Sequence, residues 1–206
     1  MPKKLFIVIA ALAIVTTACG GSSKDSAEST PTTTKSDTAT TTPGEKPAST
    51  GDLPLVTLET SEGNIVIEMD TENAPKAAGR FIDHVEAGTY DGLTFHRIIP
   101  GFVIQGGDPA GNGTGGTDSS VVGETPTDGY PVGSLAAAKT QTDPPGTFDI
   151  QFFITTGPQG EQLPPEYARF GKVVEGMDVV TKIENVETGA NDAPVDPVTI
   201  NKATVS

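Results

Sequence analysis

Phe95-His96-Arg97-Ile98-Ile99-Pro100-Gly101-Phe102-Val103-Ile104-Gln105-Gly106-Gly107-Asp108 holds two strand-like runs, Thr94–Ile99 and Phe102–Gln105, on either side of Pro100-Gly101. One guanidinium, Arg97, and one amide, Gln105, stand in it among aliphatic and aromatic residues. Upstream, Val56 and Leu58, then Ile65, Ile67 and Met69, recur at every second position around Ser61-Glu62-Gly63-Asn64, which predicts a β-hairpin. Thr71-Glu72-Asn73-Ala74-Pro75 then starts a helix. Ala77, Ala78, Phe81, Ile82 and Val85 share one face of it, and Gly88 ends it. Downstream, strand-like runs recur at Ser134–Ala138, Ile150–Thr155, Phe170–Val174 and Val198–Val205, with a second helix near Met177–Ile183. Many short strands punctuated by Gly and Pro, with only two helices, imply an antiparallel barrel.

The folded part does not begin at residue 1. Lys3 and Lys4 precede an apolar run from Leu5 to Val15, followed by Thr16-Thr17-Ala18-Cys19-Gly20. A basic start, a short apolar stretch and a small residue before the cut describe a secretory signal over residues 1–18. The run is too short to span a bilayer as a mature helix. The single cysteine, Cys19, follows the small-residue site directly, an arrangement similar to bacterial lipoprotein signals, in which that cysteine is lipidated and becomes the mature N-terminus. That family favours Leu three positions before the cysteine, where this chain has Thr16. The expectation is attachment to the outer face of the cytoplasmic membrane through Cys19, the alternative being an ordinary cleaved signal and secretion.

Residues 19–52 contain no aromatic or large aliphatic side chain. Such Thr/Ser/Pro-rich sequence cannot bury enough apolar surface to offset its ordering entropy, so a disordered tether of about 30 Å mean span is expected. The domain therefore runs over 53–206. With 13 basic against 27 acidic side chains the net charge is −14, which argues against nucleic acid, since that affinity rests on neutralising phosphates.

Several motifs carry no chemistry. Gly111-Asn112-Gly113-Thr114-Gly115-Gly116 matches a dinucleotide fingerprint, but no helix follows to meet a pyrophosphate. His84, read as a helix-surface residue, and His96 lie too far apart in sequence, and lack a cysteine or carboxylate cluster, to suggest a metal site. No nucleophile elbow is present. No cofactor or metal is expected.

Phe95–Asp108 with the following Gly-rich loop resembles the signature of the cyclophilin-type peptidyl-prolyl isomerases. Gln151-Phe152-Phe153-Ile154 resembles that family's second signature, Phe170–Met177 its third, and Tyr90-Asp91-Gly92 fits as well. The resemblance spans about residues 54–205 and implies a mainly β fold: a closed eight-stranded antiparallel barrel capped by two α-helices. It implies cis/trans isomerisation of X-Pro bonds; with the export signal, the expected substrates are exported, incompletely folded polypeptides, and the chain is expected to act as a monomer.

The residues suit that reaction. Rotation about an X-Pro bond is opposed by about 18–20 kcal/mol because the nitrogen lone pair is delocalised into the carbonyl. Reaching ~10³ s⁻¹ requires removing about 7 kcal/mol. An apolar cup for the proline ring and one cation able to hydrogen-bond the amide supply this without a covalent step. By resemblance, Arg97, Phe102 and Gln105 are the catalytic set, with Arg97 the cation and Gln105 positioning it. Phe102, Val103, Phe153 and Leu163 are the cup. His96, Gly113, Ala138, Lys139, Gln151 and Tyr167 complete the substrate-binding set, a structural hydrogen-bonded role being the alternative for His96. The chain departs from the family at the rim. Lys139 stands for an asparagine, Asp149-Ile150 for a Gly-Ser pair, Gln162 for a tryptophan and Tyr167 for a histidine. The rival reading is a cyclophilin-fold chaperone or adaptor with little turnover.

Overall fold

The computed structural model describes residues 53–206. The signal read over 1–18, Cys19 and the tether over 19–52 lie outside the described residues.

The hairpin over the first strands forms as β1 (Leu55–Thr60) and β2 (Gly63–Met69), antiparallel, turning at Ser61-Glu62. Helix α1 (Pro75–Glu86) follows with proline in its first turn, and buries Ala77, Ala78, Phe81 and Val85. The chain continues through β3 (Phe95–Ile99), β4 (Val103–Gly106), β5 (Val121–Val122), β6 (Ser134–Ala137), β7 (Thr147–Phe148) and β8 (Phe152–Thr155). A four-residue helix α2 (Pro158–Glu161), β9 (Arg169–Glu175), α3 (Met177–Glu184), a 3₁₀ turn (Ala190–Asp192) and β10 (Ile200–Val205) complete it.

Eight strands form one antiparallel sheet in the order β10-β1-β2-β9-β6-β8-β4-β3. Its edges, β10 and β3, meet only at the Thr94–Thr199 bridge and in backbone bonds beside it, including Phe95 N–H to the Val198 carbonyl at 2.9 Å. Closure is therefore approximate: the sheet curls round on itself without a continuous last ladder. Two further elements go beyond the expected pair of helices and eight strands. They are α2, too short to show a helical period, and a separate β5–β7 ribbon of two residues per strand.

The strands β4, β6 and β8 divide their side chains between two clusters, following the two-residue period of the pleat. Ile104, Leu135, Ala137, Phe152 and Ile154 point into the main core, which also receives Phe81 of α1 and Val180 and Ile183 of α3. Val103, Ala136 and Phe153 face the other way, into a second apolar cluster with Phe102, Tyr130 and Ala138. In the main core, Phe152 stands edge-on to Phe81, Tyr90 and Phe95, with ring centroids 5.4, 5.5 and 6.0 Å away.

Candidate active site

Strand β3 departs from regular alternation. Phe95 and Ile98 both enter the main core, an odd spacing made possible by a register shift between Phe95 and Arg97 against β4. A bulge of this kind turns the following side chains to the opposite face. It sets Arg97 opposite Gln105, which in turn lies opposite Phe153, itself opposite Ala136. One row across the sheet thus carries the guanidinium, the amide, the aromatic ring and a small residue on the face away from the main core.

A chain of hydrogen bonds through two side-chain amides holds the polar end of that row. Arg97 Nη1 donates to Gln105 Oε1 at 3.4 Å, Gln105 Nε2 donates to Gln151 Oε1 at 3.0 Å, and Gln151 Nε2 donates to the Gly115 carbonyl at 2.8 Å. The Gly-rich loop supplying that carbonyl is organised by Asp108. Its carboxylate accepts from the backbone N–H groups of Ala110 at 2.8 Å, Asn112 at 2.8 Å and Gly113 at 2.6 Å. At Gly115 a Cβ would collide with the Asp108 carboxylate and the Ala110 nitrogen, so only glycine fits there. Gly113 is therefore placed in the loop that ends the amide chain.

Arg97 lies with its Cζ 5.9 Å from the centre of the Phe102 ring, and its Nε is 3.6 Å from Asp192 Oδ2. Burial pushes its pKa below the ordinary value, and the Asp192 carboxylate opposes that shift. Beside it, Phe102, Val103 and Phe153 are buried to 4% exposure or less, and Leu163 and Tyr167 pack against them. The structure thus brings the four cup residues and Tyr167 into one cluster next to Arg97 and Gln105. Ala138 belongs to it as well.

Two residues are placed differently from expectation. Lys139, read as a charge beside the groove, is only 4% exposed. Its ammonium lies 3.4 Å from Glu166 Oε2, 3.3 Å from the Asp143 carbonyl and 5.4 Å from the centre of the Tyr167 ring. A buried ammonium needs such a countercharge, and Glu166 comes from the segment that also carries Tyr167. His84 is not a free surface residue: it is half-buried, its ring edge-on to Tyr90 at 5.9 Å.

His96 is 8% exposed, and neither ring nitrogen has a hydrogen-bond partner among the described residues. Burial lowers its pKa from 6.5 to about 4, with Arg97 adding to the fall and Asp108 opposing it. Folded His96 therefore stays neutral down to about pH 4, whereas the unfolded chain takes up that proton near pH 6.5. Between those values the unfolded state holds more protons, so stability falls as pH drops through the window, by on the order of 3 kcal/mol at full effect. His96→Asn is expected to flatten the pH dependence of Tm between pH 6.5 and 4, a smaller slope of the same sign remaining from His84. An unchanged slope would contradict the buried neutral ring.

Two sets of contacts escaped the sequence reading. Tyr130 packs against Phe153 and Tyr167, and its hydroxyl donates to the Tyr167 carbonyl at 2.8 Å while accepting from the Tyr167 N–H at 3.0 Å. It holds Tyr167 in place, yet it sits in irregular sequence with no periodic neighbour. Asp149 accepts from Thr117 N–H at 2.8 Å and from the Thr117 hydroxyl, and pairs with Arg80 of α1 at 3.7 Å. Arg80 also donates to the Asp149 carbonyl at 3.2 Å and to the Ser119 carbonyl at 2.9 Å, which ties the segment after the Gly-rich loop to α1.

The family model for cyclophilin-type peptidyl-prolyl cis-trans isomerases matches residues 55–205. A peptidyl-prolyl cis-trans isomerase of Schizosaccharomyces pombe is 41% identical over 155 residues, covering 72% of this chain and 96% of the relative. Peptidyl-prolyl cis-trans isomerase-like 1 of Mus musculus is 41% identical over 164 residues, covering 76% and 95% respectively. Among solved structures, a Cryptosporidium parvum cyclophilin-type isomerase, crystallised in the presence of the dipeptide Ala-Pro, superposes with a TM-score of 0.64 at 33% identity, covering 74% of this chain and 98% of that one. The chain belongs to the cyclophilin-type peptidyl-prolyl cis-trans isomerases. Among the described residues no helix is long and apolar enough to cross a membrane, and no group of His, Cys, Asp and Glu could hold a metal ion.

Proposed function

We propose that this isomerase acts on X-Pro bonds of exported, incompletely folded polypeptides, with Arg97 as its catalytic cation and the Phe102–Val103–Phe153–Leu163 cluster as its proline cup. The observation that carries the site assignment is the row Arg97, Gln105, Phe153 and Ala136, which sets the one guanidinium of the site beside an apolar patch separate from the main core. The cup takes the pyrrolidine ring. The guanidinium donates to the amide as it twists, when the nitrogen lone pair is released from the carbonyl and becomes a hydrogen-bond acceptor. A donor aimed at charge that develops only in the transition state lowers the barrier without holding the ground state more tightly. Gln105, itself held by Gln151, prevents the guanidinium from following the substrate. The Ala-Pro dipeptide present with the Cryptosporidium relative is the smallest form of such a substrate. Cis/trans exchange of a short uncharged X-Pro peptide, measured with and without the intact chain, tests the reading. Binding of the peptide without acceleration of exchange would favour a chaperone or adaptor instead.

The proposed setting is the outer face of the cytoplasmic membrane, with residues 19–52 as tether to a lipidated Cys19. The support is the ordered series of basic start, apolar run, Ala18 and Cys19. Cys19→Ser is expected to move the protein from the membrane to the soluble exported fraction, read by fractionation and immunoblot. Membrane association that persists in that variant would remove the lipid anchor from the reading.

A further inference from the structure

The segment between α3 and β10 closes on itself. Val195 N–H donates to the Glu187 carbonyl at 2.8 Å, Gly189 N–H to the Ala193 carbonyl at 2.8 Å, and Thr188 bridges Pro194. At its tip two consecutive non-glycine residues, Asn191 and Asp192, both have φ of 60°. L side chains seldom adopt this left-handed conformation, and Asn and Asp are among those that tolerate it. The conformation points the Asp192 carboxylate at Arg97, with Oδ2 3.6 Å from Nε. That is an ion-pair distance, longer than a hydrogen bond. The Asp192 side chain is 50% exposed, and a pair so open to water adds little to stability. Its geometric effect is larger. Gln105 holds the guanidinium at Nη1, and Asp192 meets it at Nε, a different nitrogen of the same plane. A contact at Nε adds to the hold at Nη1, because contacts on different nitrogens of one plane limit its swing more than either alone.

We infer that Asp192 is a positioning residue for the isomerisation, setting the Arg97 plane from the Nε side so that the guanidinium meets the twisting amide in a fixed orientation. The inference rests on Arg97 being the catalytic cation. Pre-setting a donor raises the rate because no reorientation is left for the transition state. Substrate held mainly by the apolar cup does not need that orientation to bind. The expected signature is therefore a fall in kcat with KM little changed.

The test compares the intact chain with Asp192→Ala, Asp192→Asn, Asp192→Glu, Arg97→Ala and the Arg97→Ala/Asp192→Ala pair, using an uncharged X-Pro peptide. Asp192→Ala is expected to lower kcat roughly two- to fivefold, the scale of one partly exposed charge contact, at nearly constant KM. Asp192→Glu is expected to recover more of the rate than Asp192→Asn, and the Arg97 Nε resonance to shift in Asp192→Ala. In the Arg97→Ala background, Asp192→Ala is expected to add nothing. An unchanged kcat in Asp192→Ala, a faster enzyme, or a further loss in the double variant would each overturn the inference while leaving the isomerase reading intact. An unmodified chain without turnover, or an Arg97→Ala variant with full turnover, would overturn the reading beneath it and the inference together.

Discussion

Arg97→Ala is expected to lower kcat/KM for a short X-Pro peptide by about 10²–10³, the loss seen when one preorganised donor to a developing charge is removed. The fold is expected to survive. Arg97 lies in the row opposite the main core, and the bulge that turns it there is set by the burial of Phe95 and Ile98 on either side. Arg97→Lys is expected to remain poor despite its charge, because an ammonium on a flexible stem cannot meet Gln105 and Asp192 on two nitrogens of one plane. A near-normal rate in Arg97→Ala, with an unchanged Tm, would show that the barrier is lowered by something other than this cation.

The largest expected loss of stability is at Phe152, which faces inward and is flanked by Phe153 on the site side. Its ring meets three other aromatic rings edge-on and is fully buried. Phe152→Ala removes those contacts and leaves a cavity bounded by α1, β3 and Tyr90, so a cost of about 3–5 kcal/mol is expected. Denaturant unfolding followed by circular dichroism measures it. The neighbouring Phe153→Ala is expected to lower catalysis at a smaller cost in stability, since its cluster lies outside the main core. Equal destabilisation by the two substitutions would show that the two clusters are not energetically distinct.

The barrel was legible because its strands advertise themselves at short range. The alternation of Ile65, Ile67 and Met69 and the helical spacing of Ala77, Phe81 and Val85 each depend only on local period. What escaped was long-range or sub-period. A bulge between Phe95 and Arg97 leaves no mark on composition, and a two-residue strand such as β5 has no period to detect. Arg80 and Asp149 are 69 positions apart, and the partner of Arg97 at the tip before β10 lies further still. Lys139 was read as a replacement at the rim, and nothing near it in sequence shows that Glu166 will fold onto it. His96 sits inside a readable signature, yet its burial is a property of packing. The sequence named residues that the structure brings together, but it did not show their mutual orientation.

The amide chain from Gly115 to Arg97 has a direction. A backbone carbonyl can only accept, so Gln151 must turn its Nε2 toward Gly115 and its Oε1 toward Gln105. Gln105 must then present Nε2 to Gln151 and Oε1 to Arg97. Rotating either amide by half a turn would set donor against donor at one end and acceptor against acceptor at the other. The carbonyl of a loop glycine thus dictates, through two intervening side chains, which atom the cation meets, and that loop is itself folded around the Asp108 carboxylate. The chain works as a one-way polarity relay. Its information is carried by the orientation of amide groups that themselves carry no charge, so the acceptor facing Arg97 is set by which way two side chains are turned.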